Sequence, residues 1–238
     1  MAPEIRANVN EEDLVLLERL GIKYDLVGSQ ESNEKPQPQE PSSDFIYVPS
    51  IKLYVAKERS HLGKNWFESH EALQENREEM LSLPEFRKFL KYLIENPTQE
   101  NAQIYKEITE IRNPWRGEWL DADFKMKDGA LHLNAKHNLE NGVLKPKYSR
   151  PLTKNTLMED RRISLADYVQ SVGERGSTAQ GLPSKDIQEG DLYSYFPRSD
   201  NNSVAGFNAG SGRRYLYCNR GPSCRYSDIG VRVAKQRE

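Results

Sequence analysis

Two dipeptides, Asp128-Gly129 and Asn141-Gly142, restrict the middle of this 238-residue chain more than any other feature. Such a pair between alternating apolar residues forms a primed two-residue turn. Both central positions accept positive φ there, and the turn's twist matches that of the flanking strands. A turn at 128–129 sets Met126 opposite Leu131 and Phe124 opposite Leu133, so four apolar side chains share one face. Lys125 and His132 fall on the other, wet face. A second turn pairs Leu139 with Leu144 in the same way. Whatever else it contains, the chain needs an antiparallel sheet.

The remaining segments read as helices, further strands and one linker. Residues 10–20 predict a short helix, with Asn10 as N-cap, an acidic first turn and Gly21 to end it. Residues 1–27 are thus a short helical segment. Residues 28–43, rich in Pro, Gln, Glu and Ser and free of apolar side chains, read as a disordered linker. Phe45–Val55 is β-branched and aromatic but broken by Pro49, which predicts an edge strand or two short strands. A charged segment from Trp66 to Leu81 reads as helix. Ser82-Leu83-Pro84-Glu85 is a capping box that opens a second helix with Phe86, Phe89, Leu90 and Leu93 on one face, stopped at Asn96-Pro97. A third starts near Thr98 and carries Ile104, Ile108 and Ile111. Ile163–Val172 predicts a short helix, residues 173–190 a loop, and Ile229–Val233 a buried strand. These elements place residues 44–238 in one α+β domain with a small antiparallel sheet, flanking helices and a loop-rich C-terminal region.

Charge and composition exclude several functions. A net charge of −2 gives no global field to recruit nucleic acid or an anionic membrane, so neither is an expected partner. No apolar run approaches the roughly 20 residues that span a bilayer. The opening MAPEIRANVNEEDLVLL lacks the basic flank and apolar run of a secretory signal. A soluble chain is expected, whether cytoplasmic, virion-associated or displayed through a partner. Its two cysteines, Cys218 and Cys224, read as free thiols.

Catalytic and metal motifs are sparse. His61, His70, His132 and His137 are scattered and read as surface histidines, and His70-Glu71 lacks the second His of a metalloprotease helix. Gly210-Ser211-Gly212 is followed by neither a Lys-Ser/Thr pair nor a helix start, which argues against a phosphate loop. No metal or other cofactor is expected. Trp115 and Trp119 read as core and hinge residues beside the helix-to-sheet crossover, with a stacking platform as the alternative.

The stretch from Val204 to Arg232 is unlike the rest. Between Gly206 and Asp228 there is no Lys, Glu, Gln, Met or Trp, although Lys and Glu abound elsewhere. Its Tyr, Arg, Asn, Ser and Gly match the palette of antibody paratopes. There Tyr supplies amphipathic contact at low entropy cost, and Ser, Gly and Asn supply adaptable hydrogen bonds.

The frame Val204-Ala205-x-Phe207-x-Ala209-x-Ser211, Leu216-x-Cys218, Pro222 and Ile229-Gly230-Val231-Arg232 resembles the variable repeat of proteins diversified by diversity-generating retroelements. The segment NPWRGEWLDADF and its hairpin are similar to the constant part of such proteins, and the resemblance covers about residues 44–238. It implies a C-type lectin fold, in the branch shared with formylglycine-generating enzymes. It also implies a reverse transcriptase that randomises template adenines, mostly in AAY codons, a process that cannot write Lys, Glu, Gln, Met or Trp. All five are missing between Gly206 and Asp228.

By this resemblance the variable, ligand-contacting positions within about 204–232 are Asn208, Gly210, Gly212, Arg213, Tyr215, Tyr217, Asn219, Arg220, Ser223, Arg225 and Tyr226, with Gly206, Ser227 and Asp228 at the margin. Phe207, Leu216, Ile229 and Val231 would be core, and Arg232 would pair with a carboxylate. The implied function is non-enzymatic binding of a macromolecular ligand, expected to be a protein, in an oligomeric state left open. Two alternatives stand beside it. One is an oxidase using Cys218 and Cys224, with five residues between them where the formylglycine-generating enzymes have four. The other is an undiversified structural or tail-fibre-like protein.

Overall fold

Pro49 falls where the first strand must break. In the computed structural model, which describes residues 43–236, β1 (Phe45–Val48) turns at 49–52 into β2 (Leu53–Ser60), and Val48 lies opposite Leu53. The helix expected at 10–20 and the linker up to residue 42 lie outside the described residues.

The three helices that follow are set by their caps. In α1 (Trp66–Glu75) the Asn65 side chain accepts from the Glu68 N–H, and the Glu68 carboxylate accepts from the Asn65 N–H. This helix stops short of the expected Leu81. Arg77 takes a left-handed φ of 57°, and Glu79–Met80 instead form β3. In α2 (Leu83–Glu95) the Glu85 carboxylate accepts from the Ser82 N–H at 3.0 Å, and Phe86, Phe89, Leu90 and Leu93 are buried as the spacing predicts. Thr98 caps α3 (Gln99–Thr109), which buries Ile104 and Ile108. Ile111 lies beyond the end of that helix and is exposed, contrary to the helical spacing that grouped it with them.

β4 (Arg116–Lys127), β5 (Ala130–Glu140) and β6 (Val143–Pro151) form the two expected hairpins. Asp128, Gly129, Asn141 and Gly142 all have positive φ, and the register matches: Phe124 faces Leu133, Met126 faces Leu131, and Leu139 faces Leu144. Phe124 and Leu133 are core, Leu131 and Leu144 pack against it half-buried, and Met126 and Leu139 are exposed. After β7 (Arg161–Ile163), α4 spans only Leu165–Gln170, shorter than the expected 163–172, since Ile163 belongs to the strand and Val172 is exposed.

The terminal region is richer in strands than the expected mixture of β and loop. It contains β8 (Leu192–Tyr195), β9 (Ser203–Ala209), β10 (Arg214–Arg220) and β11 (Ile229–Gln236), the last being the expected buried strand at Ile229–Val233 carried on to Gln236. The expected small antiparallel sheet is an eleven-stranded mixed one, in the order β1-β2-β11-β4-β9-β10-β8-β7, with β3 on β11 and the β5–β6 hairpin on β4. The last strand makes it large. By inserting between β2 and β4, β11 joins the first hairpin to the central strands, and it runs parallel to β4 as β10 does to β8.

Alternate residues of these strands feed two apolar clusters. Phe207, Leu216, Cys218, Ala205, Leu120 and Phe124 pack with Phe86, Phe89, Leu90 and Tyr168. Trp119, Val204, Ile229 and Val231 pack with Trp66, Leu73 and Met80. Phe207, Leu216, Ile229 and Val231 are therefore core, as expected. Arg232 and Glu118, 2% and 4% exposed, form the expected buried pair. Arg232 Nη2 donates to Glu118 Oε1 at 2.6 Å, and Nη1 donates to the Ala56 carbonyl at 3.0 Å.

A second polar group is buried beside Trp66. The β4–β9 register passes from Leu120 opposite Ala205 to Asp123 opposite Val204, so Asp121 and Ala122 bulge from the ladder. The Asp121 N–H donates to the Leu81 carbonyl instead, and its carboxylate meets His137 of β5 and His70 of α1. His70 and His137 are buried, not the surface histidines the sequence pattern led us to expect. Their separation of 67 positions conceals a contact that only the bulge creates. Among the described residues, no helix is long and apolar enough to cross a membrane.

Candidate binding surface

Strand pairing lays the candidate residues out in two rows across β4, β9, β10 and β8. Gly117, Asn208, Tyr215 and Tyr193 are successive register partners, and so are Trp119, Gly206, Tyr217 and Tyr195. Cross-strand partners stand side by side on one face. The intervening row, Glu118, Phe207, Leu216 and Ser194, faces the opposite side and is buried. The tyrosine face is therefore a direct result of period-two alternation along β10.

The four tyrosines form one block. Tyr195 and Tyr217 stack at 4.9 Å and 8°, Tyr215 and Tyr217 at 5.3 Å and 24°, and Tyr193 lies 4.8 Å from Tyr195. Burial pushes the Tyr217 phenol above its ordinary pKa, with Arg220 acting in the opposite direction.

At one end of the block the register of β9 against β10 slips by one residue between Tyr217 and Arg220. The extra residue on β10 brings Arg220 onto the tyrosine face. Its guanidinium sits 4.0 Å from the Tyr217 ring centroid, 4.8 Å from that of Tyr226 and 5.8 Å from that of Trp115. Trp115 meets Tyr226 edge-on at 5.8 Å. An arginine held among three aromatic rings has its planar face covered by them. At the other end Arg213 lies 5.7 Å from the Tyr193 ring, beside a pocket lined by Ile111, Arg162, Asp191 and Gly212.

The expected residues divide by accessibility. Gly212, Ser223, Arg225 and Tyr226 are exposed, and Arg213, Tyr215, Tyr217, Asn219 and Arg220 are half-buried. Asn208 and Gly210 are buried, against expectation, as is the marginal Gly206. Gly206 lies under the Trp119 ring, and Gly210 lies in the β9–β10 turn, where its N–H donates to the Arg213 carbonyl at 3.0 Å. Asn208 is 6% exposed, and its Oδ1 has no hydrogen-bond partner. It forms the floor of the surface between Tyr215 and Gly117. A Cβ on Gly117 would stand 2.8 Å from Asn208 Cβ, so the absent side chain is what admits the asparagine. Ser227 is exposed and Asp228 half-buried.

Sequence reasoning missed Tyr193 and Tyr195, which lie outside 204–232 and complete the block. The signal was present: Tyr193-Ser194-Tyr195 repeats the i, i+2 spacing of Tyr215-Leu216-Tyr217. Of the two tryptophans, Trp119 is core as expected, whereas Trp115 is half-buried and borders the surface.

The loop 221–228 is tied to the body of the domain by its backbone. Trp66 N–H donates to the Pro222 carbonyl at 3.0 Å, and Arg59 donates to the carbonyls of Gly117 and Asp228 at 2.8 and 2.7 Å. Side chains on this loop can change without disturbing those bonds. The two cysteines are free, as expected. Burial of Cys218 in the core pushes its thiol far above the ordinary pKa, which makes it a poor nucleophile at neutral pH.

Of the described residues, one group has the composition of a metal site: His70, Asp121 and His137. Burial pulls His70 down to about 4 despite the nearby Asp121. Burial also acts to lower His137, but its hydrogen bonds to Asp121 and Asp123 outweigh that effect and hold it at about 9. Asp121 is pushed upward by burial, yet the His137 hydrogen bond and the charge of His70 keep it below the ordinary carboxylate value. Comparison with family models, curated proteins and solved structures found no match to the chain.

Proposed function

We propose that this protein is a ligand-binding display protein of C-type lectin type whose tyrosine–arginine surface is rewritten by the adenine-directed mutagenesis of a diversity-generating retroelement. One observation carries the reading. The residues from Gly206 to Asp228 exclude the five side chains that randomised AAY codons cannot write, and those assigned to variation are mostly the accessible ones. Phe207, Leu216 and Cys218, assigned to the constant frame, are buried on the opposite face.

A strand is a suitable carrier for such variation. Its ladder bonds are made by main-chain groups, so outward side chains can be exchanged while the hydrogen-bonding pattern stays the same. The ligand class that fits an aromatic and arginine-rich face is another protein, since Tyr, Trp and Arg dominate binding hot spots. Helices flanking a sheet that carries the restricted stretch support the C-type lectin reading.

The test is the DNA around the gene. Diversification requires a nearby near-copy of the codons for the final stretch, differing at template adenines alone, together with a reverse transcriptase gene. Differences spread over all four bases, or no near-copy at all, overturn the reading.

A further inference from the structure

Three elements that share no sequence neighbourhood converge on one buried point. α1 supplies His70, the β4 bulge supplies Asp121 and Asp123, and β5 supplies His137. Ligand atoms of His70, Asp121 and His137 lie within 4.8 Å of one another, and all three residues are buried. His70 Nε2 has no hydrogen-bond partner, with Asp121 Oδ1 3.5 Å away. A buried polar atom without a partner is costly, and one that faces a carboxylate and a second imidazole points to an ion between them.

We propose that His70 Nε2, the Asp121 carboxylate and His137 Nδ1 form a buried structural zinc site of three protein donors. Imidazole and carboxylate donors suit a borderline divalent cation. Zinc bonds of about 2.0–2.1 Å place tetrahedral ligand atoms roughly 3.3 Å apart. His70 Nε2 is 3.5 Å from Asp121 Oδ1, and Asp123 Oδ1 lies 3.4 Å from His137 Nε2 on the far side of that imidazole, where it orients the ring. The Asp121–His137 contact at 2.5 Å has to widen when the ion enters. Supporting contacts already orient the ligands: the His137 N–H donates to Asp121 Oδ2 at 3.2 Å, and Gln74 Nε2 donates to the His137 carbonyl at 3.1 Å.

The ion clamps α1 to the β4–β5 hairpin. Trp66 of the same helix packs edge-on against both imidazoles and donates from Nε1 to the Leu120 carbonyl at 2.9 Å. The site therefore secures the Trp66–Trp119 cluster that borders the binding surface.

The test uses the full chain with Cys224→Ser, so that no accessible thiol supplies a ligand, and compares it with the same chain carrying His70→Gln. Each protein is chelated and dialysed, then titrated with zinc alone, with metal content, melting temperature and the visible spectrum of the cobalt-substituted form recorded. The site predicts about one zinc per chain, a melting temperature that rises on zinc addition and falls on chelation, and tetrahedral cobalt bands. His70→Gln should lose all three. Retention of no zinc by the parent chain, with an unchanged melting temperature and no tetrahedral cobalt spectrum, overturns the proposal. So does a folded His70→Gln chain that still binds zinc with the same thermal shift. Should His70→Gln not fold, the parent chain's metal content and cobalt spectrum decide alone.

Discussion

Tyr195 and Tyr217 lie ring on ring, 8° from parallel with centroids 4.9 Å apart, although only Tyr217 belongs to the compositionally restricted stretch. The parallel pairing of β8 with β10 places them in register, so the surface is shared between a strand written in the restricted alphabet and one that is not. A double-mutant cycle with Tyr195→Ala and Tyr217→Ala should give a coupling of about 0.5–1.5 kcal/mol in denaturant unfolding, the range for aromatic pairs. A coupling indistinguishable from zero would mean that the rings do not stack in solution.

Frame and surface should separate cleanly by stability. Phe207→Ala removes a ring packed 5.3 Å from Phe86 and should cost about 3–5 kcal/mol. Gly212→Ser, Arg213→Ser, Ser223→Asn and Ser227→Asn, on the accessible side and outside the stacked rings, should each stay within about 0.5 kcal/mol. Thermal and denaturant melts of the five single variants check this. A large loss from any of the four would move that position into the frame.

The Arg232–Glu118 pair joins the last strand to the central one inside the domain. Arg232→Met alone strands a buried carboxylate and should destabilise by about 3–5 kcal/mol. Adding Glu118→Leu removes that stranded charge and should recover most of the loss. Equilibrium unfolding of the two variants decides. If the double variant is no more stable than the single one, the arginine's bonds to the Ala56 and Lys57 carbonyls matter more than its carboxylate partner.

The two thiols should differ in reactivity. Cys224 is half-buried and Cys218 fully enclosed, its thiol pushed up by burial. A thiol reagent at neutral pH should therefore modify one cysteine in the folded chain and both after denaturation, with peptide mapping placing the first at Cys224. Rapid native labelling of Cys218 would contradict its position in the core.

Local chemistry was readable from the chain; long-range pairing was not. Asp128-Gly129 carries its own backbone preference and an apolar pattern that agrees with it, and Ser82 with Glu85 forms a cap within four residues. Arg232 and Glu118 are 114 residues apart, and the resemblance, not the pattern, led to the expectation of a carboxylate partner. Asp121 meets His70 and His137 only because two residues bulge from β4, and no sequence periodicity marks that bulge. The length of β9 is not legible in the sequence because its outward residues, Gly206 and Asn208, have low strand propensity. In a central strand the neighbours on either side, β4 and β10 around β9, override that propensity.

Gly117 lies outside the restricted stretch, yet it determines what position 208 can hold. With only hydrogen on its α-carbon it leaves the clearance into which Asn208 fits, 2.8 Å from where a methyl group would stand. What position 208 can hold is therefore set from a neighbouring strand, 91 positions earlier in the chain. Gly117→Ala puts a methyl group against the Cβ of any side chain at 208, so glycine alone should be accommodated there without a backbone shift.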